Sequence, residues 1–177
     1  MKALIAAAAL AVSLPVSASA LTIVHMDTIS TTTTNWSDSV SVAQFDSSLG
    51  TLNSVTVELM GSVNGDANGE SLDGAPATIS LDLAAELVAS TAALSGIATA
   101  LPIASESFDA SAFDGTIDFG GTSGVSLSGL TNTDTDSGVL TGADMDEFIG
   151  LGLVSVMVDA TGESTGSGAG NLITQFT

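Results

Sequence analysis

The residues of this chain whose types and spacing could do chemistry are carboxylates and amides. In Asn64-Gly65-Asp66-Ala67-Asn68-Gly69, three oxygen-bearing side chains stand at alternate positions before a glycine. An EF-hand loop presents oxygens to Ca²⁺ with that spacing. The twelfth position is Ala75, where such a loop needs a bidentate Glu, so the match is incomplete. Asp134-Thr135-Asp136-Ser137-Gly138 is half of a second loop of this kind, and Asp144, Asp146 and Glu147 follow it. Asn64, Asp66, Asn68, Asp134 and Asp136 are therefore the candidate metal ligands, and Ca²⁺ is the only cofactor the sequence suggests. The plainer reading carries more weight: Asn64-Gly65 supplies the positive φ angles of a tight hairpin turn, Asn132–Gly138 is a solvated polar loop, and the later acids begin a helical turn, where negative charge is favourable.

Other chemistries lack their parts. His25 is the only histidine, and no Gly-x-Ser-x-Gly elbow accompanies it for a hydrolase triad. One histidine and no cysteine cannot assemble the usual zinc sites, and thiol catalysis is excluded. Paired carboxylates can hydrolyse glycosides, but among 20 acids, with no tyrosine and a single Lys or Arg, nothing selects a pair. There is no P-loop lysine and no dinucleotide-binding glycine pattern. The expectation is a protein that is not an enzyme.

The elements that would position these groups read as strands. Val55, Val57, Leu59, Gly61 and Val63 alternate with polar residues, the period of a half-buried strand. After the break at Asp73-Gly74-Ala75-Pro76, the residues Ile79, Leu81, Leu83, Ala85 and Leu87 alternate in the same way. Ala84–Leu94 could also form a helix on propensity, but the clean period of two upstream favours a long strand. Further strands are expected over Leu21–Asp27 with Thr28–Thr34, on both sides of Pro102, over Phe113–Phe119, from Val125 to Gly129, over Leu151–Ala160 with both faces buried, and at Leu172–Phe176. Thr141–Phe148 reads as one capped helical turn ended by Gly150. Trp36, the only tryptophan, is either a sugar-stacking platform or, more in keeping with a β domain, partly buried core. Many short strands between Gly-rich turns predict an all-β fold: an antiparallel β-sandwich or jelly roll, with at most one short helical turn near 143–149.

Residues 1–20 have the form of an export leader: Lys2, an apolar run Leu4–Leu14 too short to span a bilayer comfortably, and the small-x-small site Ala18-Ser19-Ala20. The expectation is a signal peptide over 1–20 and one domain over 21–177. Lys2 is the only Lys or Arg, and all 20 acids follow the leader, so residues 21–177 carry a side-chain charge near −20. Such a chain repels nucleic acid and anionic lipid, which excludes phosphate-backbone binding and argues against membrane insertion of the mature chain. Its stability must come from apolar burial and β hydrogen bonds against self-repulsion. With 45% hydrophobic residues and a mean hydropathy of +0.51, it is too apolar to be disordered.

Several blocks resemble the bacterial choice-of-anchor E domain family. They are Asn35-Trp36-Ser37, Gln44-Phe45-Asp46, Leu49-Gly50-Thr51-Leu52, Val55, Gly61, Ala75-Pro76-Ala77-Thr78, Phe148-Ile149-Gly150 and Gly168-Ala169-Gly170-Asn171. The resemblance implies a secreted β-rich domain, commonly followed by a surface-sorting tail. This chain stops at Gln175-Phe176-Thr177, about where one more strand and then a sorting signal would be expected. The expectation is an exported structural or interaction domain of the bacterial surface or extracellular matrix, in contact with an extracellular polymer or protein or with itself through an open sheet edge. The alternative is a Ca²⁺-dependent ligand- or glycan-binding module.

Overall fold

Two long strands with alternating burial organise the molecule. The computed structural model describes residues 2–6 as backbone and residues 21–177 in full, in eleven strands. These are β1 (Lys2–Ala6), β2 (Thr28–Thr33), β3 (Trp36–Ala43), β4 (Val55–Ser71), β5 (Ala77–Ser90), β6 (Ala98–Ala100), β7 (Ile103–Ala110), β8 (Gly124–Leu140), β9 (Leu153–Gly162), β10 (Thr165–Ser167) and β11 (Leu172–Phe176). The fold is all-β, in two mostly antiparallel sheets, as the patterning predicts. Among the described residues the helical content is two 3₁₀ turns, Ser47–Leu49 and Gly142–Phe148.

β4 and β5 are the centres of the two sheets, and each lends its edges to several partners. β8 runs along one edge of β4, while β1 and β11 share the other, at Met60–Asn64 and Ala67–Ser71. β5 carries β7 and β6 on one edge and β10 and β9 on the other, and β3 pairs with β9. Buried residues of β4 (Val55, Val57, Leu59, Val63) face those of β5 (Leu83, Ala85, Leu87, Ala89) in one core, joined by Val40, Val42, Phe148, Val154, Val156 and Val158. The sheets approach each other closely at glycines of β4. A Cβ on Gly61 would lie 2.8 Å from Leu87 Cδ1, and one on Gly69 would lie 3.1 Å from Leu81 Cδ1. At both positions a leucine from the opposite sheet occupies the space a side chain would take, so a larger residue would have to displace it.

The structure corrects several sequence expectations. Asn64-Gly65 is not a hairpin turn; it lies in mid-strand, where β4 continues to Ser71. The local irregularity is a bulge between Gly65 and Ala67, with the extra residue on β8 beside Gly129, whose φ is +67°. Asn132–Gly138 is not a loop but the centre of β8. Phe113–Phe119 is not a strand. Gly115 and Phe119 have φ of +101° and +55°, and the Asp114 and Asp118 carboxylates accept the Thr116 and Gly120 N–H groups two residues on. Those local bonds give the backbone an alternative to a ladder. Leu21–Asp27 forms no strand, and β9 is buried on one face only, leaving Leu153 and Met157 exposed. The turn at Gly142–Phe148 forms without a side-chain bond from Thr141. The second alternating run is strand to Ser90, so helical propensity in Ala84–Leu94 yields to the sandwich core.

Lys2–Ala6, the head of the expected leader, is the strand that fills the gap between β2 and β4. The apolar run beyond it and the Ala18-Ser19-Ala20 site lie outside the described residues.

Candidate functional site: the acidic strands and the β2–β4 edge

The five candidate Ca²⁺ ligands fall on the two paired strands β4 and β8, with Asn64, Asp66 and Asn68 on the first and Asp134 and Asp136 on the second. They do not converge. Asp134 Oδ2 accepts the Leu101 N–H at 2.7 Å, and Asp136 Oδ2 accepts the Thr99 N–H at 2.7 Å. Asp66 Oδ1 accepts the Gly129 N–H at 2.8 Å, holding the bulge. Asn68 Nδ2 donates to Gln175 Oε1 at 3.4 Å, tying β11 to β4. Among the described residues no cluster of three or more His, Asp or Glu side chains could hold a metal ion. The alternate spacing that resembles a cation loop is the period of a strand.

The same pattern extends over the molecule. Asp73 accepts the Gly170 and Asn171 N–H groups with its two carboxylate oxygens, and Asp46 accepts the Ser48 N–H. That bond from the Ser48 backbone, with the Ser48 hydroxyl second, holds the Asp46 carboxyl below its usual range. With no Lys or Arg beyond residue 2, backbone N–H groups are the donors these carboxylates find. Glu147 accepts the Thr91 hydroxyl, and its carbonyl accepts Gln44 Nε2 at 2.8 Å, so it fastens the 3₁₀ turn to the ends of β5 and β3, two strands of one sheet.

Sequence reasoning missed Glu70. It is fully buried at the end of β4, its Oε1 accepting the Ser123 hydroxyl at 2.6 Å. Oε2 has no hydrogen-bond partner among the described residues. The strand period continuing from Val63 through Ala67 places Glu70 on the outward side; only the covering loop before β8 buries it.

Trp36 packs against the core with its Nε1 buried and unpartnered, so it sits as the partly buried core residue that the sequence favours over a sugar platform. The cleft beside it, between β2 and β3, is lined by Thr28, Ser30, Thr32, Ser37 and Asp38. His25 lines a small apolar recess with Ile23, Phe45 and Leu49, and no carboxylate is hydrogen-bonded to it among the described residues. No described helix is long and apolar enough to cross a membrane.

What remains is the edge. β2 and β4 run parallel to each other, with β1 antiparallel to both. The register sets Ala3 opposite Val63, and Ile5 opposite both Gly61 and Ile29. Val63, Gly61 and Ile29 are all buried, so the gap between β2 and β4 opens onto the core. Comparison of the chain with protein-family models, with curated proteins and with solved structures gives no match.

Proposed function

We propose that this chain is an exported, non-enzymatic structural or interaction domain of the bacterial cell surface or extracellular matrix. The observation that carries the reading is the gap between β2 and β4, which is filled by residues of the expected leader. Removal of residues 1–20 uncovers unpaired backbone along Met60–Asn64, bordered by buried apolar residues. An edge of that kind binds by strand addition. The leader-like form of residues 1–20, the charge near −20 and the resemblance to choice-of-anchor E domains point the same way. A Ca²⁺-dependent binding role has no support in the geometry, because Asp66, Asp134 and Asp136 already accept backbone N–H groups.

The test is expression of the whole gene in an exporting bacterial host, with fractionation and intact mass of the product. Protein beginning at Leu21, outside the cytoplasm and retained by extracellular matrix prepared from the same culture, is the expected result. Cytoplasmic protein that keeps residues 1–20 overturns it.

A further inference from the structure

We infer, resting on export and cleavage as proposed above, that Leu21–Val24 moves into the uncovered gap of its own molecule. The new amino terminus replaces the leader strand and forms a hairpin with β2. The β2–β4 edge is then covered in the free mature chain, and a partner strand reaches it by displacing this segment.

Register follows from the pairs that Lys2–Ala6 makes. With Leu21 in the place of Ala3 and Ile23 in that of Ile5, Leu21 stands opposite Val63, and Ile23 opposite Gly61 and Ile29. Val24 takes the place of Ala6, opposite Met60 and Thr28. Only His25-Met26-Asp27 then lies between Val24 and its partner Thr28, which is a three-residue hairpin loop. Such a loop holds its last residue in the left-handed region, and Asp is among the side chains that adopt it. The direction fits as well, because the gap strand is antiparallel to β2, as the arm of a hairpin must be.

The residue types suit the place. Val63, Gly61 and Ile29 are buried, so Leu21 and Ile23 opposite them turn toward the core, and Thr22, opposite Ser62, turns away from it. The segment carries no carboxylate. While Lys2–Ala6 fills the gap, the segment pairs with no strand, Leu21 and Val24 are 56% and 55% exposed, and Ile23 lies in the recess beside Phe45 and Leu49. Loss of the leader opens a place where its apolar side chains are covered and its backbone groups are paired. The loop fixes which molecule supplies the strand. A short tether holds Leu21–Val24 beside its own gap at an effective concentration on the order of millimolar. A segment of another molecule has no tether and arrives on a chain near −20 that is repelled.

The experiment uses the exported product of the whole gene, with its amino terminus fixed by intact mass. V24C and M60C are placed together in one chain, which has no cysteine of its own. Residues opposite each other on antiparallel strands lie within the Cα separation that a disulfide spans. The expected product begins at Leu21, sediments as a monomer and carries an intramolecular disulfide between the two introduced cysteines. Leu21→Asp would be neutral at a site as exposed as Leu21 is beside the filled gap; facing the core, it is expected to lower the melting temperature by about 5 °C. A chain that begins at Leu21 and keeps both thiols free, or whose melting is unmoved by Leu21→Asp, overturns the inference and leaves export intact. Disulfides formed only between molecules give the gap to another copy and overturn it too. A product that keeps residues 1–20 overturns export and the inference together.

Discussion

β4 and β8 have the same length, 17 residues, and pair with each other along nearly all of it, yet they are stabilised in different ways. β4 turns Val55, Val57, Leu59 and Val63 into the core. β8 is mostly exposed, and its central residues meet backbone instead of side chains. Asn132 Nδ2 donates to the Ile103 carbonyl, Asp134 and Asp136 accept the Leu101 and Thr99 N–H groups, and Gly138 lies under the Ile97 carbonyl. β8 thus fastens the segment that carries β6 and β7. A strand need not bury apolar residues to belong to a sandwich, provided that its polar side chains satisfy the edge it covers.

The comparison can be broken or sharpened by measurement. Leu59→Ala removes a fully buried side chain of β4 from the inter-sheet core and is expected to cost about 3 kcal/mol in denaturant unfolding. A cost below about 1 kcal/mol would mean that β4 is no more deeply anchored than β8. Glu70→Ala removes the buried acceptor of the Ser123 hydroxyl at the end of β4 and is expected to cost about 2 kcal/mol. Unchanged stability instead would show that the bond from the loop before β8 to β4 contributes nothing.

Asp134→Asn and Asp136→Asn weaken the bonds from β8 to Leu101 and Thr99, and each should cost about 1 kcal/mol or less, since Asp136 is exposed and Asp134 only half-buried. The two costs should add, because each carboxylate serves its own N–H. Melting in CaCl₂ and in NaCl of matched ionic strength should rise from the low-salt value by similar amounts, through screening of the negative charge. A clearly larger rise in Ca²⁺ would return Asp66, Asp134 and Asp136 to the role of ligands.

The smallest effect is at Asp46. Its folded carboxyl titrates below the usual value of 3.8. Its contribution is therefore present above that value and is lost as pH falls through the lower folded value. NMR titration should show Asp46 ionised below pH 3.8, and Asp46→Asn should flatten only that acid limb.

How much of this was legible in the sequence depends on what each strand faces. β4 and β5 could be read because their inner residues meet apolar side chains, so the period of two is written in Val, Ile and Leu. The middle of β8 could not, because its inner residues meet N–H and C=O groups, and Asn132, Asp134 and Asp136 look the same in a loop as on a polar edge. Phe113–Phe119 failed in the opposite sense: it has the period, but Asp114 and Asp118 bond to their own following backbone and positive φ angles break the run. The candidate ligands were named from a spacing that loop and strand share. The β2–β4 gap could not be foreseen, since no local pattern says which distant segments become neighbours.

The pairing of β3 with β9 has a further consequence, in the order of folding. Asn35 and Gly162, 127 residues apart, are joined by a hydrogen bond beside the β3–β9 ladder, and Gln44 and Gly152, 108 apart, by another at its far end. β4 in turn waits for β8 and β11. Neither sheet can be completed until the last quarter of the chain has been made. Folds dominated by such distant pairings fold in milliseconds to seconds rather than microseconds. A growing chain of this design cannot close either sheet until its synthesis is nearly finished, the condition in which a polypeptide can still be threaded through a narrow channel before it acquires its shape.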